Sequence, residues 1–422
     1  PDLTGLEIPP TWSFTHDSLG ISLMIVMVLK EVPFLVLVSL SALSRMDVSG
    51  SLAVGRSLGC ETSQVWVKII LPQLFPKIRL AVFAVLAYSL SVVDLAQIIG
   101  PTIPPTLAVQ VFKWFNDPSL DYRLLGSAGA TLILILVMGF IGAILLLETV
   151  FVRSTKTIMV NGQRKAWPFL STRLSNSIVL LIVGISALVL LVLIIWSFTW
   201  RWRFPDFLPE QWSTRFWMKG LDRTQDPIWN TITTGIAASA IAIILVIGCL
   251  ENEVEMRRRG LDSQVRKYLW LIYLPLLIPQ IAFLFGVQVS LALFHLEGYW
   301  LSLVWSHLLF VLPYVFLSLG PIYRGYDQRM SDVAITLCRS RTRAFFRVKL
   351  PMLLKPVFFA GAIGFAVSVA QYLPTLFMGA GRFETITTEA VTLASGSDRR
   401  IVAVYAICQL ALPLLFFLSA LL

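Results

Sequence analysis

Residues 175–196, SNSIVLLIVGISALVLLVLIIW, contain no charged side chain. Residues 126–152 contain one, Glu148, near their end. About 20 consecutive apolar residues make a helix long enough to cross the roughly 30 Å hydrocarbon core of a bilayer. Runs of this length are foreign to soluble folds, whose helices keep a polar face. Charged residues make up only 14% of the chain, against about 25% in a typical soluble protein. The chain therefore reads as an all-α polytopic membrane protein.

Nine segments qualify as spans: about 18–42, 76–100, 126–152, 172–196, 228–250, 268–290, 299–322, 356–377 and 401–422. Each must be a helix, because a backbone in lipid has to satisfy its own hydrogen bonds. Pro33, Pro275, Pro279, Pro313 and Pro374 fall inside spans and predict kinks. Alternate connections differ in charge. Segments 43–79, 153–173, 251–267 and 323–355 hold 23 Lys and Arg, whereas 101–125, 197–227, 291–298 and 378–400 hold 10. The richer set faces the cytoplasm by the positive-inside rule. This accounts for the net charge of +10 without nucleic-acid binding. Cys60, Cys249, Cys338 and Cys408 have no spacing suited to zinc or a disulfide framework.

Two cytoplasmic segments read alike. Ala53-Val54-Gly55-Arg56-Ser57-Leu58-Gly59 is followed after nine residues by Ile69-Ile70-Leu71-Pro72. Asp332-Val333-Ala334-Ile335-Thr336-Leu337-Cys338 is followed after nine by Val348-Lys349-Leu350-Pro351. The offset is 279 residues, and a hydrophobic span follows each Leu-Pro. Each segment predicts an amphipathic helix, a turn and a short second helix ended by Leu-Pro. Six spans separate the copies, so both face the same side, as in a parallel repeat.

The pair resembles the EAA motif of ABC importer permeases, E-A-A-x3-G-x9-I-x-L-P. The first copy keeps Gly59, Ile69, Leu71 and Pro72. It has Ala53, Val54 and Gly55 in place of the acid and alanines. The second keeps Ala334, Leu350 and Pro351, with Asp332 for Glu, Val348 for Ile and Cys338 for Gly. The loss of glycine at Cys338 opens the question of whether the second copy turns as sharply as the first. The resemblance extends to the fused thiamine and iron(III) importer permeases, through Gln371–Ser397 and Ser89–Val109. It implies a type I importer permease fold in two tandem parallel repeats, 1–165 and 166–422. The motif falls after the first span of one half and the fourth of the other, so the first repeat is expected to lack its three N-terminal helices.

The resemblance also implies a function and partners. The chain would form the translocation path of an ATP-driven importer in a bacterial inner membrane. Two copies of an ATPase subunit and an extracytoplasmic binding protein would be its partners. The ATPase-coupling residues would be Gly55, Leu58, Gly59, Ile69, Leu71 and Pro72, and Asp332, Ala334, Leu337, Cys338, Val348, Leu350 and Pro351. The sequence contains no GxxxxGK[ST] phosphate loop. ATP and magnesium would thus belong to the partner, and no cofactor or metal and no catalytic residue is expected here. The cargo would be a small solute, a thiamine-like organic cation first and iron(III) or another small ion second. A secondary transporter with parallel repeats is the competing reading, distinguished by having no need of coupling loops.

Ionisable residues inside spans default to functional candidates. Asp94 and its approximate counterpart Gln371, with Tyr372 and Thr375, are candidates for the substrate path; a polar contact with a neighbouring helix or a place near the outer interface is the plainer account of Asp94, and core packing that of Tyr372 and Thr375. Lys30 and Glu31 are adjacent, so they face different sides of their helix and are expected to find partners on other helices. His307 reads as a packed polar residue. The outer loop 197–227 is rich in tryptophan, which suits the membrane interface or a docking surface for the binding protein.

Overall fold

The computed structural model describes residues 15–160, 172–202, 206, 208–260, 269–396 and 398–421. Among them, seven helices are long and apolar enough to cross a membrane, and two bent helix pairs bring the number to nine. These nine coincide with the nine spans expected from hydrophobicity. One bent pair, Leu271–Leu277 and Gln280–Leu293, turns through 114°. Pro279 lies at that break and has no N–H to continue the helix.

The chain begins with α1 (Ile21–Leu43), α2 (Val48–Ser57), α3 (Thr62–Val65), a π turn at Trp66–Ile70, α4 (Leu71–Ser91), α5 (Asp94–Ile98), α6 (Leu107–Phe115) and α7 (Leu120–Val160). Then come α8 (Thr172–Ser197), a small hairpin of β1 (Thr199–Arg201) and β2 (Gln211–Trp212), α9 (Arg215–Arg258), a 3-10 turn at Leu269–Tyr273, α10 (Leu274–Leu277) and α11 (Gln280–Leu293). The series then repeats as α12 (Trp300–Arg324), α13 (Gln328–Cys338), α14 (Arg341–Ala344), a π turn at Phe345–Lys349, α15 (Leu350–Met352), α16 (Leu354–Val369), α17 (Leu373–Gly379), α18 (Ile386–Ala394) and α19 (Arg399–Leu421).

The offset of 279 read from the motif holds along the series. The elements that start at 21, 62, 66, 71, 94, 107 and 120 recur at 300, 341, 345, 350, 373, 386 and 399. Two departures occur: α13 starts 280 residues after α2, and the continuous α4 is replaced by α15 and α16, bent by 72° about Leu353. Even a cap is repeated. Thr106 accepts a hydrogen bond from the Val109 amide and Thr385 from the Thr388 amide, each at 3.4 Å. Such a cap satisfies one of the donors a helix start leaves open.

Contacts group 15–192 with 277–282 in one compact unit, and 193–276 with 283–421 in another. In the first, α4 packs on α1 and α7, and α6 on α7. Gly126 and Gly129 let α7 approach α6. A Cβ at Gly126 would lie 2.6 Å from the Phe115 ring, and one at Gly129 2.5 Å from Val111. In the second, α9, α12 and α16 form the core through Ala238, Ala242, Val246, Val311, Val315, Phe316 and Ala360. Gly235 and Gly364 admit Phe365 and Val315 at distances that leave no room for a Cβ. Small residues at crossings are how membrane helices gain contact without a hydrophobic driving force.

Candidate functional site

The two motif segments fold alike, and for legible reasons. Asp47 caps α2 by accepting from the Gly50 amide at 2.8 Å, and Asp327 caps α13 by accepting from the Arg329 amide at 3.0 Å. Each helix turns into a short second helix and then a π turn. There the Leu71 and Leu350 amides donate to the carbonyls five residues back, of Trp66 and Phe345. Pro72 and Pro351 follow at once; their missing N–H already forbids a regular bond, which suits a widened turn.

Gly55 is buried because α3 presses on it; a Cβ there would lie 2.2 Å from Val65 Cγ2. The equivalents in the second copy are Ala334 and Ala344, both buried. One copy pairs a glycine with a valine, the other two alanines, so the space is filled either way. Val54 and Leu58 point outward, 59% and 62% exposed. Their equivalents Val333 and Leu337 are 58% and 80% exposed. Ile69, Pro72, Val348 and Leu350 are half-buried, and Leu71 and Pro351 lie at the surface.

Gly59 takes a left-handed conformation, φ +77°, and reverses the chain. Its sequence equivalent, Cys338, does not. The helix runs through Cys338, and Arg339 turns instead at φ +50°. Ser340 then caps α14. The glycine is dispensable at 338 because the turn has moved one residue on.

The second copy is also clamped from behind by the end of α9. Lys349 is buried and pairs with Glu251, which also accepts from the Tyr323 hydroxyl. Glu253 takes Arg324 through two oxygens at 2.8 and 2.9 Å, and Arg257 at 2.8 Å. Glu255 binds Arg341 at 2.9 Å and Arg258 binds Asp332 at 2.7 Å. Of these groups Glu251, Glu255, Arg258, Arg341 and Lys349 line a recess of about 70 Å³, together with Ser331, whose buried hydroxyl has no hydrogen-bond partner among the described residues. The first copy has Ala53, Thr62 and Ile70 where the second has Asp332, Arg341 and Lys349. The sequence reading missed this clamp. Its signal was the alternation Glu251, Glu253, Glu255 at the end of a span.

Behind each segment the span is interrupted. The helix breaks at Val92–Val93 in the first copy and at Gln371–Tyr372 in the second. Gln371 therefore matches Val92, and Asp94 matches Leu373; the two polar candidates are not counterparts. Asp94 opens α5 and is half-buried, within electrostatic reach of Lys30. Lys30 donates to the Tyr88 hydroxyl and lies 4.0 Å from its ring centre, so its partner is on another helix, as expected. In the second copy His307 bridges the break, with Nδ1 2.8 Å from the Ser368 hydroxyl and Nε2 3.0 Å from that of Thr375. Gln371, Tyr372 and Thr375 are buried.

The outer loop forms an aromatic platform. Trp196 stacks near Trp202, Phe198 on Trp217 and Trp200 on Phe216, with ring centres 5.0–5.8 Å apart. Arg400 lies over Phe216 and donates to the Trp200 carbonyl. The same guanidinium holds the Asp398 carboxyl below the usual carboxylate range by hydrogen bonding.

No family model matches the chain. A relative does: over 412 residues, 97% of this chain and 73% of the relative, it is 35% identical to the inner membrane ABC transporter permease protein YnjC of Escherichia coli (strain K12). The chain belongs to the ABC transporter permeases. It is a multi-pass protein of the inner membrane and the membrane-spanning transport component of its system. Membership in this permease family implies an ATPase partner.

Proposed function

We propose that this permease works in an importer, and that the segments 47–72 and 326–351 are its two ATPase-coupling sites. The observation that carries the reading is the repeated outward pair, Val54 with Leu58 and Val333 with Leu337, on helices with the same cap, the same π turn and the same Leu-Pro. Large apolar side chains exposed on a polar surface mark a place where a partner binds. A rigid short helix joined to a span through a π turn can pass a push from the ATPase to the span. On this reading the repeats are 1–165 and 166–422, and two ATPase copies supply ATP and magnesium. An extracytoplasmic binding protein delivers cargo, with the platform around Trp200 and Phe216 as its landing site.

The path residues proposed are Asp94, Gln371, Tyr372 and Thr375. The cargo to test first is a thiamine-like organic cation, with iron(III) or another small ion second. The residues behind the breaks temper the first choice, since Lys30 stands near Asp94 and offsets its charge.

The test is co-purification with the ATPase. Val54→Asp, Leu58→Asp, Val333→Asp and Leu337→Asp together should abolish it while the permease remains folded in detergent, because a carboxylate buried in a docking cleft is costly. An ATPase that stays bound to the fourfold variant would sink the docking reading.

A further inference from the structure

The two docking surfaces share their apolar pair and differ in charge. Residues 47–70 carry two cations and two carboxylates, for a net charge of zero. The equivalent residues 326–349 carry six cations and two carboxylates, net +4. Part of that excess is paired: the exposed Arg341 binds Glu255 and the buried Lys349 binds Glu251. The rest is exposed and unpaired: Arg329, Arg339, Arg343 and Arg347 form no ion pair among the described residues. Their equivalents in the first copy are Gly50, Cys60, Gln64 and Lys68.

Two of the arginines adjoin the apolar knobs, on the helix and at its end, and two follow on the next turns. Arg329, Val333 and Leu337 follow one another at four-residue spacing, so they share a stripe on α13. Arg339 makes the turn directly after the stripe, and Arg343 lies in the next helical turn. The same stripe in the first copy reads Gly50, Val54, Leu58.

We propose that the second coupling segment holds its ATPase cassette through an acidic rim that surrounds the apolar cleft, whereas the first holds its cassette by apolar contact alone. The proposal rests on the reading of both segments as ATPase-docking sites. Exposed arginines beside an apolar pair fit a protein surface with carboxylates around a pocket, since guanidinium and carboxylate match in fork geometry. The anionic inner leaflet is the other source of negative charge. It meets both segments, because six spans separate them and they face the same side. A leaflet that needed arginines would need them in both copies, and only one has them.

The experiment isolates each site and varies salt. Val54→Asp/Leu58→Asp leaves only the second site, and Val333→Asp/Leu337→Asp leaves only the first. ATPase affinity of each purified permease is measured in detergent from about 50 to about 500 mM salt, a range over which charge contacts at a surface are largely screened. The second site alone should weaken by about tenfold or more and the first by less than about threefold. Adding Arg339→Gln, Arg343→Gln and Arg347→Gln to the second-site permease should flatten its salt dependence to that of the first. Equal salt dependence of the two sites overturns the proposal. So does a triple Arg→Gln variant that keeps its ATPase affinity but binds anionic vesicles less well, an outcome that gives the arginines to the lipid. If neither Asp pair changes ATPase binding, the docking reading itself fails, which is a different result.

Discussion

The two coupling segments have one geometry and two ways of being held. Cap, turn, π turn and Leu-Pro recur in the same order, the cap and turn 280 residues on and the π turn and Leu-Pro 279, so the backbone of the first predicts most of that of the second. The side chains behind them do not recur. The first is packed by apolar contacts, with Ile70 at its buried end, and the second is bracketed by ion pairs to the end of α9, with Lys349 at the same place. A fold can thus keep the shape of a moving part while changing how tightly it is fastened.

The comparison is broken most severely at residue 349. Lys349→Met strands Glu251, and a buried pair that loses one partner costs about 3–5 kcal/mol. Glu251 is 38% exposed, so the loss should be smaller, about 2–3 kcal/mol, read as denaturant stability of the detergent-solubilised chain. Ile70→Met, the same change in the other copy, should cost under about 1.5 kcal/mol because volume is kept. Similar losses at both sites would erase the distinction.

Next comes the packing pair. Gly55→Ala forces a methyl into Val65 and should cost about 1–3 kcal/mol. Adding Val65→Ala gives the first copy the pair found in the second, and stability should return to within about 0.5 kcal/mol of the parent. Absence of rescue would mean that the two arrangements are not interchangeable.

The turns should respond with opposite signs. Gly59→Ala puts a side chain in the left-handed region and should destabilise by about 1 kcal/mol, whereas Arg339→Gly should stabilise by up to about the same. Both can be read from thermal unfolding, and a destabilising Arg339→Gly would show that its side chain contributes more than its backbone costs. The smallest effect is expected from Asp332→Asn. Its pair with Arg258 is exposed, so about 0.5 kcal/mol or less should be lost.

How much of this was legible varied with the kind of information needed. The spans were readable because lipid demands long apolar runs. The repeat was readable because Leu-Pro recurs in register, and most of the series from α1 to α7 then followed the same offset. The turn at Arg339 was not readable. A missing glycine at 338 says that the old turn is gone without saying where the new one lies. The match of Asp94 with Gln371 failed by two residues because both were paired by polarity, and polarity does not report where a helix breaks. The α9 clamp joins residues some 70–100 positions apart, and nothing local to Glu251 or Lys349 announces the other.

The paired π turns also set a phase. A regular helix rotates about 100° per residue, so one residue more or fewer in that turn would swing every side chain of the following span by that angle about its axis. Trp66–Ile70, which runs straight into α4, therefore acts as the splice at which the orientation of a cytoplasmic helix and that of a membrane helix are chosen separately; in the second copy the bend at Leu353 shares that role with Phe345–Lys349. A single-residue deletion there would leave both helices intact and aim them at the wrong neighbours.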